Sequence, residues 1–239
     1  MNMVVDIGNT FTKVGIFERD SLQEKKVFDS DQTLQDFLQF HPASNVIISS
    51  VAGKEELVAT WSHATGKTIL FTALLPTPVQ NRYASPETLG ADRLAAACGA
   101  RLLFPDQDCL VIDVGSCINY EFINKGGEYR GGAISPGIRM RFEAMHRLTA
   151  KLPAVSPVEN SPLTGRSTPE CLQSGVMNGA LEEIRGIIGR YQIQYPGLRV
   201  ILCGGDTQFF ENHLKPSIFV APDLVLKGLN SILLYNVGT

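Results

Sequence analysis

Apolar and polar positions along the 239-residue chain alternate between short strand-like runs and longer stretches with helical spacing. The chain opens on Met3-Val4-Val5, breaks at Asp6-Ile7-Gly8-Asn9-Thr10, and resumes as Phe11-Thr12-Lys13-Val14-Gly15-Ile16-Phe17. The same pattern returns at Leu110-Val111-Ile112-Asp113-Val114-Gly115-Ser116, followed by Cys117-Ile118-Asn119-Tyr120-Glu121-Phe122-Ile123. Only a few residues separate the two β-prone runs of each copy, which predicts a hairpin rather than a strand-to-helix crossover. A strand is expected at 45–50 and a helix from 55 to 63. Alanines and leucines at helical spacing predict a helix over 90–103, limited by Pro105. Apolar residues at 172, 176, 177, 180, 181, 184, 187 and 188 predict a helix over 170–190. A buried strand at 198–203 feeds Gly204-Gly205-Asp206, and a last helix covers 224–235.

The repeated Asp-x-Gly turn divides the chain into two related halves, 1–109 and 110–239. Neither GxGxxG nor GxxxxGK is present, so Rossmann and P-loop readings are set aside. Glycine lets another group approach the main chain, and successive turn amides donate hydrogen bonds to phosphate oxygens. Asp6 and Asp113 repel bare phosphate but can hold a cation beside it. A tight hairpin turn with an incidental charge is the plainer account of either copy alone. The pair together predicts a nucleotide-binding cleft where the two turns converge. No low-complexity linker separates the halves, so packed lobes with a hinge are expected.

Composition narrows the function classes. Apolar residues make up 44% and charged residues 19%, against global disorder. With 21 Lys+Arg and 24 Asp+Glu the formal charge is −3, which gives no reason to expect nucleic acid as a partner. Five cysteines (98, 109, 117, 171, 203) form no CxxC pair, and the four histidines lack metal-ligand spacing. Reduced thiols in a cytoplasmic protein are expected, with no structural zinc. No leader or membrane span is expected, since runs such as Val46-Ile47-Ile48 are too short to cross a bilayer.

Three further segments carry candidate chemistry. In Asn81-Arg82-Tyr83-Ala84-Ser85-Pro86-Glu87-Thr88-Leu89-Gly90-Ala91-Asp92-Arg93, Asp92 lies near the start of an apolar helix. It either serves the helix N-terminus or orients an alcohol and accepts its proton during phosphoryl transfer. Arg93 would then lie near an anionic acceptor, with Tyr83 as one wall of the pocket or a cover for the core. Gly204-Gly205-Asp206 either ends a strand or lets a flat base or ribose pass close to the backbone. Thr168 precedes a helix with Glu170, as a cap or as a hydroxyl for substrate. Arg139, Arg141 and Arg147 follow a glycine-rich run and either neutralise an anion or solvate a helix face.

Taken together, DIGNTFTK at 6–13, NRYASPETLGADR at 81–93, DVGS at 113–116, GGAISPGIRM at 131–140, STPECLQSG at 167–175 and LCGGD at 202–206 closely resemble type III pantothenate kinase. The resemblance implies an α/β fold of two actin/hexokinase-like lobes with a duplicated core. It also implies a homodimer and ATP-dependent phosphorylation of the primary hydroxyl of pantothenate, the first committed step of coenzyme A synthesis. On it, Asp6, Ile7, Gly8, Asn9, Thr10, Phe11, Thr12 and Lys13 bind ATP, with Ser116 as a further ATP contact. Asp92 is the proton acceptor, and Tyr83, Gly90, Ala91, Asp92, Arg93 and Thr168 contact pantothenate near the dimer interface. Asp113 helps bind a monovalent cation, potassium or ammonium, and Asp6 serves Mg²⁺ directly or through water.

The second turn departs from the family pattern Asp-x-Gly-Thr-Ala-x-Thr-x-Asp. Ser116 keeps a hydroxyl, Asn119 replaces a threonine, and Glu121 keeps a carboxylate one methylene farther out. Consequences are therefore expected in nucleotide affinity and cation geometry. The alternatives to a pantothenate kinase are another small-molecule alcohol kinase and a nucleotide-responsive regulatory module.

Overall fold

The structure, a computed structural model, describes residues 1–214 and 218–238. Its elements begin with β1 (Asn2–Ile7), β2 (Thr12–Glu18), β3 (Ser21–Phe28), α1 (Asp31–Phe40), β4 (Asn45–Ser50), α2 (Glu55–Trp61), β5 (Thr68–Leu70) and β6 (Gln80–Asn81). The middle of the chain forms α3 (Ala91–Leu103), β7 (Cys109–Val114), β8 (Cys117–Ile123), β9 (Glu128–Pro136), α4 (Ile138–Arg147), α5 (Thr168–Gln173) and α6 (Gly179–Gln194). It ends with β10 (Arg199–Cys203), α7 (Thr207–Leu214), β11 (Phe219–Val220) and α8 (Leu224–Val237). The helix expected over 170–190 is present but passes through a π-helical stretch, Ser174–Asn178, between α5 and α6. There Ser174 Oγ donates to the Leu163 carbonyl (2.7 Å) and Asn178 Nδ2 to that of Pro162 (3.3 Å). The widened turn thereby pins the irregular segment before α5.

Two compact units share the chain. The first gathers Met1–Gln107, Glu121–Gly131 and the chain from Asp223 on; the second holds Asp108–Tyr120 and Gly132–Pro222. The division is thus not into 1–109 and 110–239. Two pieces of the expected second half pack with the first, and the packing of α8 explains one of them. Its Gly228 lies so close to α3 that a Cβ there would stand 1.8 Å from the Ala95 carbonyl oxygen.

In the first unit the sheet order is β3-β2-β1-β4-β5. β1 pairs antiparallel with β2 and parallel with β4. All six residues of β1 are buried, as a central strand covered on both faces requires. Met3, Val5 and Ile7 join Val46 and Ile48 in a core with Leu34 and Leu38 of α1 and Val58 of α2. Ser30 Oγ caps α1 by accepting from the Thr33 amide. In the second unit β11, β10, β7 and the start of β8 are neighbours in that order, and β6 joins the start of β9 within the first unit. Leu110, Ile112, Phe142, Ile184, Val200 and Phe210 belong to the second unit's core, where β10 runs parallel to β7 and β11.

Candidate active site

The first Asp-x-Gly turn is the tight β1–β2 connection. The Gly8 amide donates to the Phe11 carbonyl at 3.1 Å, closing the loop around Asn9 and Thr10, both exposed. Asp6, the penultimate residue of β1, is 9% exposed and stands in register with Lys13 on β2 and with Ser49 on β4. Residues opposite one another on paired strands share a face, so the hairpin gathers Asp6, Lys13 and Ser49 on one side. Ser49 is fully buried, and among the described residues its Oγ has no hydrogen-bond partner. Ile7 and Thr12 are buried beside the turn, and Phe11 is exposed on it.

The acceptor segment folds by a different logic. β6 pairs in parallel with β9, placing Asn81 opposite Tyr129, and the Arg82 amide donates to the Tyr129 carbonyl at 2.9 Å. The Tyr83 amide then donates to Asn81 Oδ1 at 3.0 Å, which turns its ring toward Tyr129. The two rings stack with centroids 6.2 Å apart. Gly90 and a short 3₁₀ turn, Pro86–Thr88, lead into α3. At its start Asp92 Oδ1 accepts from the Arg93 amide at 2.9 Å. Burial pushes the Asp92 carboxyl above the ordinary carboxylate range, against the opposing pull of the Arg93 amide and charge. A half-buried, helix-borne carboxylate of raised affinity for protons suits a proton acceptor.

Arg93 is 8% exposed and Glu121 fully buried. Arg93 Nε donates to Glu121 Oε1 at 2.6 Å and Nη2 to Oε2 at 3.0 Å, a bidentate pair. Tyr129 also donates its hydroxyl to Glu121. Burial opposes the charge on Arg93, but the Glu121 carboxylate overrides it and holds the guanidinium's pKa above its usual value. Burial also pushes Glu121 upward, with Arg93 and Tyr129 pulling against it. The carboxylate whose extra methylene was expected to matter for nucleotide and cation geometry is engaged here instead, beside Asp92.

In the second unit, the turn after β7 closes by a 2.9 Å hydrogen bond from the Gly115 amide to the Cys117 carbonyl. The Gly137 amide donates to the Ser116 carbonyl at 3.1 Å, and the Asp206 amide to that of Val114 at 3.0 Å. Asp113 is half-buried and Ser116 exposed. Gly204 has φ +99°, and a Cβ on it would lie 2.4 Å from Asp113 Oδ1, so the carboxylate occupies space that any other residue would fill. Glu183 of α6 accepts from Tyr120, Ser135 and Arg141, tying the 135–141 segment to the unit's core. Burial would raise Glu183, but Arg141 with both hydroxyls holds it below the ordinary range. A cavity of about 370 Å³ opens beside Gly205 and Asp206, walled by Arg139, Val158, Met177 and Phe209. Burial raises the Asp206 carboxyl, with Arg139 acting against it. Thr168 is the exposed first residue of α5, where Ser167 caps the helix by accepting from the Glu170 amide.

The structure therefore brings Tyr83, Gly90, Asp92 and Arg93 into one cluster and adds Glu121 and Tyr129 to it. The signal for Glu121 was a charged residue inside an apolar strand run, which needs a partner when buried. Gly137 and Glu183 carry no such local signal. Among the described residues no group of three or more His, Cys, Asp or Glu side chains is gathered as for a metal ion. Each acidic turn offers one carboxylate, and a cation shared with a phosphate ligand needs only one or two from the protein. At Asp6 the orphaned, buried Ser49 hydroxyl supplies a second oxygen on the same face. At Asp113 the missing Cβ of Gly204 leaves room for the carboxylate itself. No helix among the described residues is long and apolar enough to cross a membrane.

The sequence profile of the type III pantothenate kinase family matches residues 2–190. A type III pantothenate kinase of Bacteroides fragilis is 42% identical, with 100% of this chain and 99% of its own length covered. Among solved structures, a conserved Baf-family protein from Campylobacter jejuni is similar with TM-score 0.67 at 22% identity, over 99% of this chain and 100% of that one. The ADPNP-bound activator of 2-hydroxyisocaproyl-CoA dehydratase from Clostridium difficile is similar with TM-score 0.56 at 12% identity, over 98% and 93%. The chain thus shares the α/β fold of these proteins.

Proposed function

The chain belongs to the type III pantothenate kinase family, and we infer from this premise that it transfers the γ-phosphoryl group of ATP to the primary hydroxyl of pantothenate. The observation that carries the chemistry is Asp92, a half-buried carboxylate at the start of α3, within one cluster with Tyr83 and Arg93. Asp92 orients the attacking hydroxyl and takes its proton; because phosphoryl transfer proceeds through a loose transition state, full deprotonation before attack is unnecessary. Gly90 and Ala91 present backbone to the acceptor. A Cβ at 90 would stand 2.7 Å from Asp92 Oδ1, which supports a glycine there. Arg93 spends two donors on Glu121 and addresses the carboxylate of pantothenate with others, beside Tyr83. Thr168 is assigned to the same acceptor on the family resemblance, together with a homodimer.

ATP contacts are assigned to residues 6–13 in the first unit and to Ser116 in the second. The amides of the closed 8–11 turn and the hydroxyls of Thr10 and Thr12 serve phosphate oxygens, and Lys13 adds charge. The cavity at Gly205 and Asp206 falls within the size range of small-ligand sites. Asp6 with Ser49 holds Mg²⁺ directly or through water, and Asp113 holds potassium or ammonium. When bound, these ions neutralise charge on the phosphate oxygens. The two units are read as a duplicated core, each copy supplying one Asp-x-Gly turn.

The test is a phosphotransfer assay on purified protein in which the phosphorylated product itself is detected. Pantothenate and polyol acceptors are compared with and without Mg²⁺, in potassium against sodium. Magnesium-dependent phosphopantothenate, with potassium favoured, is expected. Phosphorylation of a polyol in its place, or nucleotide binding with no acceptor turned over, would overturn the reading.

A further inference from the structure

We propose that Glu121 and Tyr129 are positioning residues for the transfer reaction: together they hold Arg93 and Tyr83 as one fixed wall and keep the Arg93 guanidinium off Asp92. The inference deepens the reading above and rests on its placing the acceptor beside Asp92 and Arg93.

Glu121 is the hub. Its carboxylate receives Arg93 Nε, Arg93 Nη2 and the Tyr129 hydroxyl, and none of the three residues is more than 8% exposed. Both donors lead on to Tyr83. The Arg93 Cζ lies 5.6 Å from the centroid of the Tyr83 ring, within cation–π range, and the Tyr129 ring stacks on it. A Cβ at Gly131 would meet the Tyr83 ring edge at 3.1 Å, so a third neighbour limits where that ring can go. Tyr83, the predicted acceptor contact, is thus boxed by groups that themselves depend on one carboxylate.

Charge gives the arrangement its purpose. Asp92 and Arg93 are consecutive in the first turn of α3, and a buried guanidinium without Glu121 has the Asp92 carboxylate as its nearest acid on the same helix. An ion pair there would spend the lone pairs that must receive the hydroxyl proton and would depress the basicity of the carboxylate. Glu121 out-competes Asp92 because it offers a coplanar, two-point match to Nε and Nη2. Side-chain length matters for the same reason. An aspartate on the same strand falls one methylene short of that fork, so it keeps the charge and loses the two-point geometry.

The experiment compares the wild type with Glu121→Gln, Glu121→Asp and Tyr129→Phe. Each protein is measured for kcat, acceptor KM, ATP KM and melting temperature, and by NMR for the exchange of the Arg93 Nε–H in ¹⁵N-arginine-labelled protein. Glu121→Gln is expected to lower kcat by about 10²-fold and to raise acceptor KM, with ATP KM within about twofold. Glu121→Asp should recover about a tenth of wild-type kcat, and Tyr129→Phe, the variant least able to disturb folding, should lose about tenfold. The Nε–H should exchange slowly in the wild type and Tyr129→Phe, and fast in Glu121→Gln. Lower melting temperatures with kcat and acceptor KM unmoved would mean a structural pair only and overturn the proposal. So would an Nε–H in Glu121→Gln as protected as in the wild type. A wild type that fails to phosphorylate pantothenate refutes the functional reading alone, and the exchange measurement then still decides whether Glu121 fixes Arg93.

Discussion

Replacing Gly137 by alanine tests whether the second Asp-x-Gly turn must sit where it does, because it moves the turn without removing any functional group. Gly137 precedes α4 in extended backbone (φ −69°, ψ 171°), a conformation alanine adopts freely, so the substitution brings no dihedral strain. The cost is contact. A Cβ at 137 would stand 2.1 Å from the Gly115 carbonyl oxygen and 2.6 Å from that of Ser116, about 1 Å inside the nearest approach that real Cβ atoms make. Both obstacles are backbone of the turn itself, so the turn or α4 must shift by roughly that distance and strain the 3.1 Å bond from the Gly137 amide to Ser116.

Overpacking of this kind costs about 1–3 kcal/mol, which lowers the melting temperature of a chain this size by roughly 2–12 °C. A displacement of about 1 Å at a phosphate-positioning turn costs on the order of 10²-fold in turnover. Steady-state kinetics with ATP and pantothenate varied separately should place most of the loss in kcat and ATP KM, with acceptor KM near the wild-type value. Gly186→Ala is the matched control. It lies exposed in α6 with nothing within 4 Å of its added Cβ, and should gain about 0.5–1 kcal/mol of stability at unchanged kinetics. Gly137→Ala with ATP constants within twofold of the wild type would refute the placement of the turn in nucleotide handling.

Asp92→Asn should cut kcat by about 10²- to 10⁴-fold while pantothenate binding by calorimetry persists. Burial raises the Asp92 carboxyl, so the folded chain keeps that proton to higher pH than the unfolded one; the stability this provides is present below the unfolded pKa and lost as pH rises through the folded value. Asp92→Asn should therefore melt no lower than the wild type at neutral pH, and the acid limb of the wild-type kcat profile should lie above the usual aspartate value of about 4. Gly228→Ala should destabilise by about 1–3 kcal/mol or more, read by denaturant melts, because the Ala95 carbonyl occupies the space its Cβ needs. Arg93→Met combined with Glu121→Leu should melt within a few degrees of the wild type yet lose turnover, since well-packed apolar replacements of a buried ion pair are often neutral.

Local pattern made the elements around both turns legible. Alternation and short gaps identified β1–β2 and β7–β8 as hairpins, and the alanine-rich spacing identified α3 to within a residue at its start. The elements that went unread are those whose pattern is set by what covers them. β3 is mostly exposed and reads as polar, while β6 is two residues long and exists because β9 pairs with it. The unit boundaries were hidden for a related reason. Gly228 and Gly99 look like weak points in helices 129 residues apart until α3 and α8 are seen to press backbone on backbone. Within the site, Asp92 was legible from its place at a helix start. The partner of Arg93 was not, because a guanidinium three residues after Gly90 says nothing about a glutamate 28 residues on.

The buried Arg93–Glu121 pair answers to the site rather than to the fold. Desolvating two charges offsets most of what their attraction returns, so stability alone gives little reason to keep such a pair over two apolar side chains. An apolar pair, however, leaves no oriented N–H donor one residue from Asp92 and no cation against the Tyr83 ring. An arginine without its glutamate supplies both, at the risk of turning onto Asp92 and quenching it. Only the neutralised pair provides a fixed donor next to a carboxylate that remains free to take a proton. The helix start contributes in the opposite sense to burial, because its exposed amides favour the ionised carboxylate that burial disfavours. Asp92 thus sits where opposing fields meet, and Glu121 offsets part of the one from Arg93, whose charge still pulls the carboxyl down.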